Sequence, residues 1–343
     1  MSSEVTRQVY LARRPQGHVQ ASDFEVRSVD APQPNDGQVL VRTRWLSIDP
    51  MLRIFIDQSP LGGAMTPLPI GAPIVGPVVA EVVESRSGEL SPGDLVEGRG
   101  PWQERSVLNA GDLRRLGKPD WPAQAALGVL GLPGFSAYVG LKILGAMPAG
   151  STVLISGAAG AVGTVAGQLA RRAGWRAVGI ASGAERCEYL VRTLGFDGAA
   201  DRNAADFKAQ LQQALPNGAN CYFDNVGGPL FPLVLPFMAH SGAVLICGLM
   251  AQYESGVPEN APGGVDQLPD VLRTIMGKQL MIRAFNNRAF LPILDEYVAE
   301  VGPLVASGEI TLPEIIHDGL ESAPAAFATL FSGGPPGKHL IRL

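Results

Sequence analysis

Cysteine is scarce in this chain of 343 residues, which has three, and no two of them form a C-x-x-C pair. A disulfide framework or a structural zinc site requires more cysteines at closer spacing. The four histidines are scattered, and no two lie four residues apart, which is the spacing of a helical metal site. We therefore expect neither a disulfide framework nor a metal site.

Long apolar runs and an excess of positive charge are missing as well. No uninterrupted stretch of about 18 apolar residues is present to span a bilayer, and the charged N-terminal sequence lacks the apolar centre of a signal peptide. The net charge of −5 argues against a general affinity for nucleic acid or anionic membranes. These absences predict a soluble, cytoplasmic protein that binds neither nucleic acid nor membrane.

The pattern of the residues that are present changes along the chain. The first third consists of short extended runs between Gly and Pro, which predict an antiparallel, barrel-like β domain. From Ser151 strands and helices alternate, with Gly174, Gly195 and Gly242 closing helices, which predicts a parallel sheet covered on both faces. After about residue 307 this alternation stops, and we expect the tail to return to the first domain. The predicted domains are residues 1–124 with 307–343, and residues 125–306.

A glycine loop lies at the first crossover of the predicted parallel sheet, in the stretch VLISGAAGAVG. Gly157, Gly160 and Gly163 separate an apolar strand from a helix. This position requires a tight turn, close backbone approach to a pyrophosphate, and free N–H groups at the start of the helix. The spacing G-x-x-G-x-x-G is one residue longer than the usual dinucleotide pattern, so a plain glycine-rich turn is the alternative. The strand before the loop and the helix after it favour cofactor binding.

The end of the next strand indicates which dinucleotide is bound. An NAD site places Asp or Glu there to accept a hydrogen bond from the ribose 2′-hydroxyl. Here Ala181 is followed by Ser182 and Gly183, so the position carries no negative charge. Arg186 comes one turn later and Arg202 follows the next strand, and together they could hold a 2′-phosphate through charge-assisted hydrogen bonds. The sequence therefore favours NADP over NAD.

Six segments carry a more specific resemblance, in the order LSIDPMLR, GLPGFSAYVGL, SGAAGAVGTVAGQLA, LGFD, CYFDNVGG and CGLMAQYES. They resemble the zinc-free branch of the medium-chain dehydrogenase/reductases, specifically the prostaglandin reductase and alkenal double-bond reductase family, which includes bacterial curcumin reductase. The resemblance implies a GroES-like β-barrel domain formed by both chain ends and a Rossmann domain, which is a doubly wound parallel sheet, between them. It also implies a homodimer.

The activity implied by the resemblance is hydride transfer from NADPH to the β-carbon of an α,β-unsaturated ketone or aldehyde. Residues are carried over by position. The pyrophosphate loop is Ala159, Gly160, Ala161, Val162 and Gly163; Arg186 lies at the 2′-phosphate with Ser182 and Arg202; Asn225 meets the nicotinamide ribose; and Cys247, Gly248, Leu249, Met250, Tyr253, Phe285, Asn286 and Asn287 line the nicotinamide.

Catalysis requires a hydrogen-bond donor for the enolate oxygen that hydride attack creates. The resemblance assigns this role to the nicotinamide ribose 2′-hydroxyl held by Tyr253, and Tyr138 is the rival donor. Tyr253 and Met51 are expected to border the substrate pocket. The chain departs from the family pattern at three positions, because Met51 and Arg202 stand where relatives have Tyr, and Pro335 stands where they have Asn.

Two other functions stay open at this point. A zinc-free quinone reductase shares the glycine loop, and a nucleotide-binding protein without turnover also fits it. Zinc-dependent relatives carry Cys and His ligands in the first domain, whereas this chain has no Cys before Cys187 and is expected to act without a metal. The sequence does not indicate the natural enone or the stereochemistry of its reduction.

Overall fold

The structure, a computed structural model, describes residues 5–57, 66–254 and 267–343. These residues form a two-stranded sheet, a seven-stranded sheet and a six-stranded sheet. None of the helices in these ranges is long and apolar enough to cross a membrane.

The first third of the chain forms antiparallel strands, as its Gly- and Pro-punctuated runs predict. The elements are β1 (Val5–Leu11), β2 (Phe24–Asp30), β3 (Gln38–Ser47), α1 (Leu52–Phe55), β4 (Val75–Ser85), β5 (Leu95–Pro101), β6 (Arg105–Asn109) and β7 (Arg114–Arg115). Strand β3 is the centre of this domain, because it pairs with β4 along its length and with β6 over residues 38–42. The β1–β2 hairpin forms a separate sheet.

The middle of the chain alternates helices and strands. The elements are α2 (Leu132–Leu144), β8 (Thr152–Ser156), α3 (Ala161–Arg172), β9 (Arg176–Ala181), α4 (Ala184–Arg192), β10 (Gly198–Asp201), α5 (Phe207–Ala214), β11 (Ala219–Asp224), α6 (Leu230–Val234), β12 (Met238–Ile246), α7 (Leu268–Lys278), β13 (Met281–Ala284) and α8 (Leu294–Ala306). The six strands are parallel in the order β10-β9-β8-β11-β12-β13. The strand order reverses between β8 and β11, where α/β sheets bind ligands at their carboxyl ends.

The tail of the chain joins the sheet of the first domain. It forms β14 (Glu314–Asp318), α9 (Ala323–Thr329) and β15 (Lys338–Arg342). Strand β15 pairs antiparallel with β3, so that Leu340 lies opposite Ser47, and parallel with β14. The boundaries drawn at residues 124/125 and 306/307 stay a prediction.

One local prediction was wrong. Gly174 (φ 80°) and Gly195 (φ 69°) do follow helices, but Gly242 lies inside β12 and closes none. The left-handed residue there is Ser241 (φ 58°). A Cβ on Gly242 would lie 3.1 Å from the Ala239 carbonyl oxygen, so the glycine serves a close backbone approach within an irregular strand.

Candidate active site

The glycine loop between β8 and α3 forms a cradle that only small residues fit. Gly157 adopts a left-handed backbone (φ 58°). A Cβ on Gly163 would lie 2.5 Å from the Gly157 carbonyl oxygen and 2.6 Å from the Ala158 Cα. The first backbone N–H groups of α3, from Ala161 onward, have no acceptor within the helix and favour an anion. The loop therefore fits the anionic oxygens of a phosphate group.

A second loop, between β9 and α4, is shaped by a carboxylate from the next strand. Gly183 is left-handed (φ 92°), and its N–H donates to Asp201 Oδ1 at 2.7 Å. The N–H of Asn203 donates to the same oxygen at 3.0 Å. Asp201 is thereby turned towards backbone groups, and Ser182, predicted to bind the cofactor, lies in the loop that Asp201 fixes.

Two arginines lie beside this loop. Nη2 of Arg186 donates to the Gly334 carbonyl oxygen. Within the described ranges, the guanidinium of Arg202 has no hydrogen bond or ion pair. Burial, followed by repulsion from Arg186, lowers the pKa of Arg202, while Asp201 opposes the shift. Two close cations without a carboxylate between them would be stabilised by a bound anion such as a phosphate.

Asp224 organises the carboxyl end of β11. Its side chain is fully buried, and its oxygens accept four hydrogen bonds, from Ser156 Oγ (2.6 Å), the Tyr222 hydroxyl (2.8 Å), and the backbone N–H groups of Val226 (3.0 Å) and Gly227 (3.1 Å). The bond to Ser156 crosses from β11 to β8 at the point where the strand order reverses. Sequence analysis assigned no role to Asp224, although a lone acid between an apolar strand and Asn-Val-Gly-Gly was a visible signal.

The backbone around Asp224 locks the neighbouring loop. Its carbonyl oxygen accepts from the N–H of Cys247 at 2.8 Å and of Gly248 at 3.1 Å, and the Asn225 carbonyl accepts from Met250 at 3.3 Å. The Asn225 side chain donates to the Ser156 carbonyl at 2.8 Å. The carboxyl ends of β8, β11 and β12 are thus joined, and these predicted cofactor residues are brought together.

The segment after β12 places a phenol and a thiol at this edge. Burial raises the pKa of Cys247 to about 12, so its thiol stays protonated and is no nucleophile. Tyr253 is partly buried. Burial raises its pKa above the ordinary value, and a hydrogen bond from the Leu249 backbone opposes the shift. Tyr253 therefore remains a hydrogen-bond donor at neutral pH.

Glu254 ties this segment to the first domain. It is 5% exposed; its Oε2 lies 2.8 Å from His18 Nδ1, and its Oε1 accepts from the Val19 N–H at 3.1 Å. Tyr253 is thereby held where the two halves of the chain meet. Glu254 was also missed by sequence analysis, because its partners lie 235 or more residues away in the chain.

The rival donor Tyr138 lies elsewhere. Its hydroxyl donates to Glu300 at 2.7 Å, and its ring packs on Tyr297. Burial and the contact with Glu300 raise its pKa to about 12. Tyr138 is therefore part of the α2–α8 contact.

The remaining predicted residues lie in both halves of the chain. Phe285 packs edge-on against Phe223, with centroids 6.2 Å apart. Asn287 Nδ2 donates to Ser136 Oγ at 2.8 Å, and Asn286 accepts from the backbone N–H two residues later, so both amides are engaged in local structure. Met51, 41% exposed, is the residue directly before α1 in the first domain.

The chain is similar in sequence to known oxidoreductases. A sequence profile described as the N-terminal domain of oxidoreductase matches residues 7–116, and one described as zinc-binding dehydrogenase matches residues 161–286. NADPH-dependent curcumin reductase of Escherichia coli (strain K12) is 38% identical over 97% of this chain and 95% of that protein. The chain belongs to the zinc-free medium-chain dehydrogenase/reductases.

Other members of the zinc-free medium-chain dehydrogenase/reductases agree with this assignment. Prostaglandin reductase 1 of Rattus norvegicus is 34% identical, with 97% of each chain covered. The crystal structure of CurA from Vibrio vulnificus in complex with NADPH superimposes with a TM-score of 0.90 at 34% identity, covering 98% of each chain. The predicted family and its two-domain fold are confirmed.

The prediction that the protein acts without a metal ion needs its own evidence, because one matching profile is described as zinc-binding. Within residues 5–57, 66–254 and 267–343, no group of three or more His, Cys, Asp or Glu side chains is arranged to hold a metal ion. Action without a metal stays a prediction.

Removing the Asp224 carboxylate should destabilise the fold. Asp224→Ala leaves four buried donors without an acceptor, and we expect it to lower the free energy of unfolding by about 3–5 kcal/mol. Asp224→Asn keeps an acceptor oxygen and should lose less. Urea unfolding measures both, with the exposed Asp36→Ala as control. Equal stability of Asp224→Ala and the control would contradict the role given to this carboxylate.

Proposed function

We propose that this protein is an NADPH-dependent ene-reductase, which reduces the C=C double bond of α,β-unsaturated ketones and aldehydes without a metal ion. Its relatives include proteins described as an NADPH-dependent curcumin reductase and a prostaglandin reductase. The observation that carries the proposal is the placement of Tyr253, a protonated phenol held at the carboxyl edge of the sheet, where the two domains meet.

The residues of this chain fit the cofactor. The glycine cradle accepts a pyrophosphate at the start of α3, because side chains are excluded there. Arg186 and Arg202 offer two guanidinium groups to a 2′-phosphate. The last residue of β9 is Ala181, and the nearby Asp201 carboxylate accepts from the backbone N–H groups of Gly183 and Asn203. Asn225 and the segment from Cys247 to Tyr253 lie at the switch point between β8 and β11, where we expect the nicotinamide.

Bound NADPH supplies a hydride to the β-carbon of the substrate. Negative charge then develops on the carbonyl oxygen, where Tyr253 would donate a hydrogen bond or hold the ribose 2′-hydroxyl that donates it. A proton from water adds to the α-carbon and completes the saturated product. Glu254 keeps Tyr253 in place through its contacts with His18 and Val19. The partial burial of Tyr253 limits competition from water for the same oxygen.

The proposal is tested by following NADPH absorbance after adding, in separate experiments, a small neutral enone and a quinone. We expect consumption with a small neutral enone. Consumption with a quinone alone would favour a quinone reductase instead, and cofactor binding without consumption of either compound would favour a nucleotide-binding protein without turnover.

Arg186 should discriminate between the two cofactors. Loss of a charge-assisted contact is worth about 1.5–3 kcal/mol, so Arg186→Ala should raise the KM for NADPH by roughly tenfold to a hundredfold and change that for NADH far less. Arg192→Ala, which removes an exposed cation from the same helix, is the matched control. An equal loss for both cofactors would refute the 2′-phosphate assignment.

Replacing Tyr253 should lower the turnover rate. Tyr253→Phe removes one positioned donor, so we expect kcat to fall by roughly tenfold to a hundredfold, with NADPH affinity and thermal stability nearly unchanged. Tyr138→Phe also removes one tyrosine hydroxyl, but one bonded to Glu300, and should leave kcat near that of the wild type. Full activity of Tyr253→Phe would show that Tyr253 only lines the substrate site and that its hydroxyl is not needed for turnover.

We further propose that two copies of the chain associate through β13, in line with the homodimer that the family resemblance implies. Within the described residues β13 pairs on one side alone, with β12, and all four of its residues are exposed. Met281 is 64% exposed and Met276 on the adjacent α7 is 76% exposed, so the edge is apolar. Light scattering of the wild type should give twice the mass of one chain. The Ile282→Lys variant should give a lower average mass, closer to that of one chain.

A further inference from the structure

A short loop before the last strand contacts two parts of the proposed cofactor site. The loop comprises residues 333–337, between α9 and β15, and its sequence is Gly-Gly-Pro-Pro-Gly. Its Gly334 carbonyl accepts from Nη2 of Arg186. Its Gly337 N–H donates to the carbonyl of Ala159, in the glycine loop, at 2.8 Å. The 333–337 loop therefore lies against both the pyrophosphate cradle and the arginine proposed for the 2′-phosphate.

Two histidines hold the middle of the 333–337 loop. His339, on β15, is 2% exposed, and its Nε2 lies 3.2 Å from the Pro335 carbonyl oxygen. Its Nδ1 lies 3.1 Å from Nε2 of His317 on β14, and the two rings stack with their centroids 5.3 Å apart. Both ring nitrogens of His339 are thus engaged, one with the loop and one with the neighbouring strand.

The protonation state of His339 gives each of these contacts a direction. Burial lowers the pKa of His339 to about 4, although the Pro335 carbonyl opposes the shift. Repulsion from His317, Lys338 and Arg186 adds to the lowering. His339 is therefore neutral at neutral pH and carries a single N–H. Since the Pro335 carbonyl can only accept, this N–H lies on Nε2 and donates to it, while Nδ1 accepts from His317.

We propose that His339 is a positioning residue for the cofactor, because it fixes the 333–337 loop so that the Gly334 carbonyl holds Arg186 ready for a 2′-phosphate. The inference rests on the proposed role of Arg186. A guanidinium has five N–H donors, so a bond from one of them to Gly334 leaves others for a phosphate. A long side chain that is already ordered loses less conformational freedom when the ligand binds. His339 therefore raises NADPH affinity through Arg186.

The test is fluorescence titration of the protein with NADPH and with NADH. His339→Leu fills the buried space but removes the donor to Pro335. The Kd for NADPH should rise roughly threefold to tenfold, as expected for one neutral hydrogen bond, and that for NADH by less than about twofold. His339→Gln retains a side-chain N–H donor and should restore NADPH binding to within about twofold of the wild type. His240→Leu, which removes an exposed imidazole from β12, is the matched control and should change neither constant.

A double-mutant cycle separates this role from a general structural one. In the Arg186→Ala background, His339→Leu should weaken NADPH no further, because the group through which His339 acts is gone. His317→Ala leaves the buried ring in place but removes the donor to its Nδ1, so that His339 can carry its proton there instead of on Nε2. It should cause the same selective loss of NADPH affinity, and it decides the question if His339→Leu does not fold.

The outcomes distinguish the positioning role from the site on which it depends. Unchanged NADPH affinity in the histidine variants, an equal loss for NADPH and NADH, or a full additional loss in the Arg186→Ala background would overturn the role of His339. Failure of Arg186→Ala itself to discriminate between NADPH and NADH would instead contradict the proposed 2′-phosphate site.

Discussion

A buried lysine anchors the start of the last strand in the first domain, next to a glycine that contacts the other half of the chain. Lys338 is 4% exposed, and its Nζ donates to the Ile48 carbonyl at 2.7 Å and to Asp49 at 2.8 Å. A buried ammonium is tolerated only with such partners. The preceding residue, Gly337, donates its N–H to the Ala159 carbonyl in the glycine loop at 2.8 Å. Two adjacent residues therefore hold both walls of the cleft.

Two buried carboxylates then fix the loops at the carboxyl edge of the parallel sheet. The Asp224 side chain joins the ends of β8 and β11 through Ser156, and its backbone carbonyl accepts from the first N–H groups after β12. The Glu254 carboxylate binds the end of the same segment to His18 and to the backbone N–H of Val19. Each carboxylate is surrounded by donors, so its burial is compensated locally. Tyr253 lies between these two anchor points, which accounts for its fixed position in a loop.

The features that could be predicted from the sequence are those set by neighbours in the chain. The alternation of strands and helices and the crowding at Gly163 are local, and both were predicted. Gly242 was misread because a glycine after an apolar helix looks like a helix stop, whereas the approach of Ala239 inside β12 decides its role. Asp224 was visible as a lone acid, but its link to Ser156 could not be assigned because the two residues lie 68 positions apart. Glu254 could not be assigned because its partners lie 235 or more residues away. Long-range pairing of charged groups was the missing information.

The distribution of charge explains how a chain with a net negative charge can bind an anionic cofactor. The chain carries a net charge of −5, yet Arg186 and Arg202 lie beside the loop after β9, where Asp201 offsets only part of the repulsion between them. Local charge decides binding because interactions between exposed groups are screened beyond about 8–10 Å at ordinary salt. Two carboxylates of the chain are already bonded to other groups. Asp201 accepts from backbone N–H groups, and Asp49 accepts from Lys338. Positive potential therefore concentrates beside the loop after β9, where we propose that a 2′-phosphate binds.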